Sequence, residues 1–297
     1  MVGMNNSKGR KVFIVFNYVF CILVGLVCVV PIIHILAISL SSANAVFSGH
    51  VTFLPVESTW ENYNIVIRDY RFFQSYLITF VRAALGLIII LVLTILAAYP
   101  MSLRKVNFPA RGFFVYYFLI PMIFNGGMIP TYLVVKELGM LNTLWALLLP
   151  CALSTYNLIL MMNFMKSLPE SLSESAFLDG AGHWITLVRI ILPLSMPSLA
   201  TVSLFIVLQH WNAWFDGSIY IVDQHLKPLQ TYLRSTVLTD ASIADLAANN
   251  SEDAVALMSA DGSNAAKIFL AMVPILCVYP FVQKHFVKGV VRGSVKE

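Results

Sequence analysis

SLSESAFLDGAGHWITLVRIILP, residues 171–193, is a polar helical segment, a glycine turn and an amphipathic segment set between two apolar runs. The serines that open it can cap a helix, and Glu174 near the first turn suits the positive end of the helix dipole. Gly180 and Gly182 then stop that helix. A second amphipathic piece, residues 184–191, leads to Pro193, where the next helix can begin. The expected product is a short helix, a tight turn and another short helix projecting from an apolar body, a shape that fits a groove in a soluble partner. An interfacial helix that only anchors the body has the same spacing, so spacing alone leaves both readings open.

The flanking runs, residues 141–164 and 192–215, belong to a set of six. The others are 12–40, 75–103, 112–135 and 265–286, each near or above the roughly 20 apolar residues that a helix needs to cross a bilayer. A chain of 297 residues with 59% hydrophobic and 11% charged residues and a mean hydropathy of +0.80 is neither a soluble domain nor a disordered chain. The fold class is therefore all-α, a polytopic membrane protein with six transmembrane helices. Four cysteines, Cys21, Cys28, Cys151 and Cys277, all lie inside apolar runs and read as small buried hydrophobes rather than a disulfide or metal framework.

Residues 12–40 follow the basic cluster Lys8, Arg10 and Lys11, are too long for a signal peptide and lack a small-residue cleavage site. They read as an uncleaved anchor with a cytoplasmic N-terminus, residues 1–11. Counting from there, Lys8, Arg10, Lys11, Arg104, Lys105, Arg111, Lys166, Arg189, Lys284, Lys288, Arg292 and Lys296 fall inside. Arg68, Arg71, Lys136, Lys227, Arg234 and Lys267 fall outside, and Arg82 lies within the second crossing. That excess of inner basic residues places both termini in the cytoplasm. The expected organisation is an outer loop at 41–74, a five-helix core at 75–286 with a cytoplasmic loop at 166–193 and a polar outer stretch at 216–264, and a cytoplasmic tail at 287–297. The outer stretch is long enough to be a partner-contacting or lid segment.

Glu174, Ala176, Asp179, Gly180, Ala181 and Gly182, followed by Ile190, Leu192 and Pro193, resemble the Glu-Ala-Ala loop of ABC importer permeases, with Ser175 at the second motif position. In that family the loop is the coupling helix that enters a cleft of the nucleotide-binding subunit. The resemblance thus assigns coupling to Glu174, Ala176, Asp179, Gly180, Ala181, Gly182 and Trp184, and implies the type I importer, MetI-like, permease fold. Ala97-Ala98-Tyr99 ahead of Arg104, Pro130-Thr131-Tyr132 and the tail Tyr279-Pro280-Phe281-Val282-Gln283-Lys284 look like the maltose-permease type of carbohydrate importer. Phe124-Asn125-Gly126-Gly127, Trp211-Asn212-Ala213-Trp214-Phe215 and the remaining tail are similar to a Gram-positive branch assigned to complex oligosaccharides.

No GxxxxGK[ST] segment occurs, so the chain has no phosphate-cradling loop and is not expected to hydrolyse ATP or bind a cofactor. The resemblance implies ATP and Mg in a separate dimer of ATP-binding subunits, a second homologous permease completing a heterodimer, an extracytoplasmic sugar-binding protein, and a place in the bacterial cytoplasmic membrane. Membrane lipid is the surrounding partner, and nucleic acid is not expected.

Sugars are held by aromatic faces and by amide, hydroxyl and carboxylate groups, and polar groups in a span face a cavity or the bundle interior. Gln209, His210, Trp211, Asn212, Trp214 and Asp216 at the end of one crossing, with Tyr117 and Asn125 on another, are the candidates for the substrate path. An interfacial aromatic belt explains the two tryptophans equally well. His210 reads first as a helix–helix hydrogen-bonding residue, His34 as a packing histidine rather than a proton relay, Arg82 as one half of an interior pair or a snorkelling group, and Trp184 as packing the loop on its partner or the membrane face.

Two rival classes find less support. A secondary carrier driven by an ion gradient usually shows two related halves or intramembrane ionisable pairs, and an intramembrane enzyme needs a nucleophile with a base or a metal set such as HExxH. None is evident. A peptide, amino-acid or anion permease of the same importer class remains an alternative, against which the sugar-type motifs stand.

Overall fold

The computed structural model describes residues 8–104, 108–124, 126–247 and 260–278, and among them every regular element is helical. Asn125, residues 248–259 of the polar outer stretch, and the tail motif from Tyr279 onward lie outside the described residues. In chain order the helices are α1 (Lys8–Ser39), α2 (Ala43–Phe47), α3 (Glu61–Arg68), α4 (Tyr70–Ser102), α5 (Arg111–Ile123), α6 (Met128–Glu137), α7 (Leu144–Leu148) and α8 (Thr155–Ser167). There follow α9 (Glu170–Leu178), α10 (His183–Thr186), α11 (Leu192–Leu194), α12 (Met196–Asn212), α13 (Phe215–Tyr220), α14 (Leu229–Ala247) and α15 (Ala260–Val278).

Three single helices, α1, α4 and α15, are long and apolar enough to cross a membrane, and three bent pairs bring the number to six when each pair is one crossing. The pairs are α5 with α6, residues Leu144–Cys151 with α8, and residues His183–Leu194 with α12. Each break has a local cause. Gly127 adopts φ +87° at the start of α6, and Pro150 lies in the 3₁₀ turn that precedes a 50° bend, after which the Ser154 hydroxyl accepts from the Asn157 N–H. Pro193 and Pro197 lack backbone donors, and the chain turns 81° around Ser195 between them, after a π-helical turn at Leu187–Ile191.

The chain forms two compact units. One contains α1 to α3, most of α14 and most of α15, and the other runs from α4 to the start of α14 and adds the end of α15. In the first, the end of α1 is held by polar contacts: Asn62 is buried and its amide donates to the carbonyls of Ser39 (3.1 Å) and Ser41 (2.9 Å). Ser41 in turn donates to Ala37 and accepts from the Val56 N–H. Lys267 pairs with Asp69 at 2.8 Å. In the second unit, α4, α8, the π-helical turn and α12 share a core of Ile90, Ala98, Met101, Leu158, Met161, Leu187, Ile191, Val202 and Ile206. A smaller core, Val135, Ala146, Leu147, Tyr220 and Ile221, joins α6, α7 and α13.

Three sequence expectations change. Residues 41–74 are not a plain loop, because they hold α2, α3 and the first turn of α4, and the stretch from 216 is helical in α13 and again in α14 as far as Ala247. The Ala, Leu and Ser content of that stretch is compatible with a helix, polarity notwithstanding. Cys21, Cys28 and Cys277 are exposed and Cys151 is half-buried, instead of all being buried. An apolar run facing lipid and one facing the bundle look alike in sequence, since lipid tails are as apolar as leucine.

Candidate coupling loop and translocation site

The 171–193 segment folds as α9, a glycine turn, α10 and the π-helical turn. Helix α9 starts one residue earlier, at Glu170, behind Pro169 with no side-chain cap, so the expected serine cap does not form and Glu174 lies at the helix middle rather than near its first turn. Gly180 has φ +83°, its N–H bonds the Phe177 carbonyl at 3.1 Å, and the Ala181 N–H reaches back to the Ala176 carbonyl at 2.9 Å. Those two bonds make a Schellman motif, in which a left-handed residue just past the helix satisfies its last carbonyls. Gly182 then starts α10 in an extended conformation, and its carbonyl accepts from both the N–H and the hydroxyl of Thr186. Ala176 is buried, while Glu174, Asp179, Gly180 and Gly182 are exposed and Ala181 is half-buried. Two large apolar side chains crown the turn without cover from the chain: Leu178 is 88% exposed and Trp184 66%. Such side chains on a protruding turn favour burial against something else.

On its inner side the loop meets the end of α4. The His183 ring stands edge-on to Phe177 at 4.9 Å between centroids and to Tyr99 at 6.1 Å, and its Nδ1 lies 3.2 Å from the Tyr99 hydroxyl. Arg104 pairs with Glu170.

The other site lies where α12 gives way to α13. Arg82, 1% exposed on α4, donates from Nη1 to Asp216 Oδ1 (3.2 Å) and from Nη2 to Oδ2, and from Nε to His210 Nδ1 (3.3 Å). Asp216 Oδ1 also accepts from the Gly217 N–H at 2.8 Å. A planar guanidinium fork facing a carboxylate in this way is the strong geometry for an ion pair. Trp211 is buried edge-on against Tyr76 at 5.6 Å, and the Arg234 guanidinium sits 3.6 Å over the Trp214 ring. Gln209 and Asn212 are exposed, as is Tyr117, which stacks on Phe113 of α5. The structure therefore brings His210 and Asp216 together on Arg82, while Tyr117 stands on another helix.

Sequence reasoning left Arg82 without a named partner, although a signal was present. Ser75, Thr79, Arg82 and Gly86 recur at helical spacing on an otherwise apolar run, and all four are buried on one face of α4. Thr79 accepts from the Leu229 N–H at 2.7 Å, and Gly86 faces the His210 ring. A Cβ at Gly86 would sit 2.5 Å from His210 Cδ2 and Nε2. Gly86→Ala is therefore expected to destabilise the purified protein by about 1–3 kcal/mol, read as a lowered melting temperature. Melting at the parental temperature would show that α4 and α12 have room to separate there.

The chain thus combines helices of up to six membrane crossings with an exposed, glycine-capped turn that leaves Leu178 and Trp184 uncovered. No protein-family model matches the chain. It is 38% identical over 294 residues to protein LplC of Bacillus subtilis (strain 168), covering 99% of this chain and 98% of that one. It is 35% identical over 288 residues to the polygalacturonan/rhamnogalacturonan transport system permease protein YtcP of the same organism, covering 97% and 99%. A crystal structure of a bacterial ABC transporter involved in the import of the acidic polysaccharide alginate matches with a TM-score of 0.84 and 32% identity, over 95% of this chain and 99% of that one. The chain belongs to the permease family of carbohydrate ABC importers.

Proposed function

We propose that this chain forms part of the translocation path of an ATP-driven importer that moves oligosaccharides released from complex polysaccharides, by alternating access. The carrying observation is near-complete coverage by a polygalacturonan/rhamnogalacturonan permease and by a chain of an alginate importer, for a chain that presents an exposed, Schellman-capped turn. In this reading Glu174, Ala176, Asp179, Gly180, Ala181, Gly182 and Trp184 dock in an ATPase subunit, and Leu178 joins them as the most exposed apolar residue of the turn. ATP and Mg belong to a dimer of such subunits, a second permease completes a heterodimer, an extracytoplasmic binding protein delivers the sugar, and both termini are cytoplasmic. Asp216 and His210 serve Arg82 and Trp211 is buried against Tyr76, which leaves Trp214, Gln209 and Asn212 as the sugar-facing candidates beside Tyr117 and Asn125. Among oligosaccharides, uronate-containing ones are favoured by the names of YtcP and of the alginate importer.

The test has two arms. The chain purified alone is expected to show no ATP hydrolysis, since it has no phosphate loop. The assembled complex is expected to hydrolyse ATP faster when its binding protein carries an oligosaccharide, with uronate oligomers ahead of neutral ones. Hydrolysis by the chain free of other subunits sinks the accessory-subunit reading, and stimulation only by a peptide- or amino-acid-loaded binding protein sinks the sugar reading.

A further inference from the structure

The apolar core ties α4 to the π-helical turn through Ala98, Met101, Leu187 and Ile191. It does not include α9 or α10, the two helices of the turn itself. Between α9, the end of α8 and the end of α4 lies a cavity of about 70 Å³ of mixed lining, in which Tyr99, Arg104, Lys166, Glu170, Ser173 and Glu174 supply the polar part. The attachment across this gap is made by side chains. Tyr99, only 7% exposed, meets His183 through its hydroxyl and its ring, His183 is in turn held by Phe177, and Arg104 pairs with Glu170 at the other end of α9.

We infer that Tyr99, in the last turn of α4, and Arg104, two residues past the end of that helix, are positioning residues that clamp the end of α4 to α9 and α10 at two points, through His183 and Glu170, so that α4 moves with the turn when its partner moves. This rests on the proposed coupling role of the turn. The ion pair alone is a weak tether, because its side chains are 63% and 46% exposed, and the ring contact alone leaves α9 free to pivot. Together they fix an orientation. The same helix carries Arg82 roughly 25 Å from Tyr99, at 1.5 Å per residue, so a displacement of the turn reaches the Arg82–Asp216–His210 cluster through one rigid element.

The experiment uses the complete importer in proteoliposomes, with sugar imported and ATP hydrolysed measured in the same vesicles. Tyr99→Phe removes one hydroxyl, Glu170→Gln removes one charge, and neither alters the exposed crown of Leu178 and Trp184. The double variant is expected to keep its ATPase subunits and its hydrolysis while importing about fivefold less sugar per ATP, the scale of one lost hydrogen bond plus a weakened ion pair. A merely structural role would lower yield and hydrolysis together instead. The exchanged pair Arg104→Glu with Glu170→Arg is expected to import more sugar per ATP than either single reversal. An unchanged ratio in the double variant overturns the clamp. Gly180→Val, run in parallel, separates the two failures: if it impairs import and the clamp variants do not, the clamp alone is wrong. If it is silent too, the coupling role of the turn fails and the clamp with it.

Discussion

Arg82→Met is expected to destabilise the purified protein by about 3 kcal/mol, because it leaves the Asp216 carboxylate facing a site built for a guanidinium. Three partners depend on that side chain: both oxygens of Asp216, and His210, whose Nε2 has no hydrogen-bond partner among the described residues. Asp216 is 25% exposed against 1% for Arg82, so water relieves part of the loss and the effect falls at the low end of the range for broken buried pairs. Arg82→Lys restores charge without the fork and is expected to recover only part of the stability. Arg82→Met combined with Asp216→Leu recovers most of it, since removing both partners leaves no stranded charge. Thermal melting of the detergent-solubilised complex, followed by size-exclusion of the survivors, measures all three. Arg82→Met melting with the parent would mean that the pair carries no weight in the fold.

The contrast between Arg82 and the 171–193 turn shows what a sequence can reveal here. The turn is legible because its determinants are local: Gly180 is needed where φ is positive, and the two bonds that close the motif span five residues or fewer. The six apolar runs are legible because a bilayer demands length and apolarity, which composition displays. Arg82 finds its carboxylate in Asp216, 134 positions later, and nothing near either residue announces the other. Asp216 accordingly reads as a sugar-facing group, and only the Ser75, Thr79, Arg82 and Gly86 spacing hints at an interior face. The breaks within three of the runs are half legible. Pro150, Pro193, Pro197 and Gly127 stand at or beside them, but a proline inside an apolar run also fits a continuous helix, as Pro31 does in α1. Burial of the cysteines is not legible at all, because lipid and protein interior select the same side chains.

Gly180→Val is expected to lower sugar uptake at least about fivefold, as a left-handed backbone costs a residue with a side chain roughly 1–2 kcal/mol and, in the proposed coupling role, the turn must hold its shape to dock. Crowding within the chain is not the reason, because a Cβ at Gly180 meets nothing within 4 Å. The cost is conformational: φ +83° is what lets the Gly180 and Ala181 N–H groups close on Phe177 and Ala176. A branched side chain that pushes the residue toward negative φ opens both bonds and swings Leu178 and Trp184 out of register with each other. Gly180→Asn is the control, since asparagine visits the left-handed region more readily and is expected to retain more uptake than valine. Glu174→Lys attacks the same element from the other side, reversing the charge of an exposed side chain at the middle of α9, beyond the first turn that Glu170 occupies, so its effect is expected through lost contact with the partner rather than through the helix dipole. In both variants binding of the loaded outer-face protein to the assembled importer is expected to change far less than uptake. The deciding measurement is co-purification of the ATPase subunits together with uptake in one preparation. If both quantities stay at the parental level in Gly180→Val and in Glu174→Lys, force does not pass through this turn.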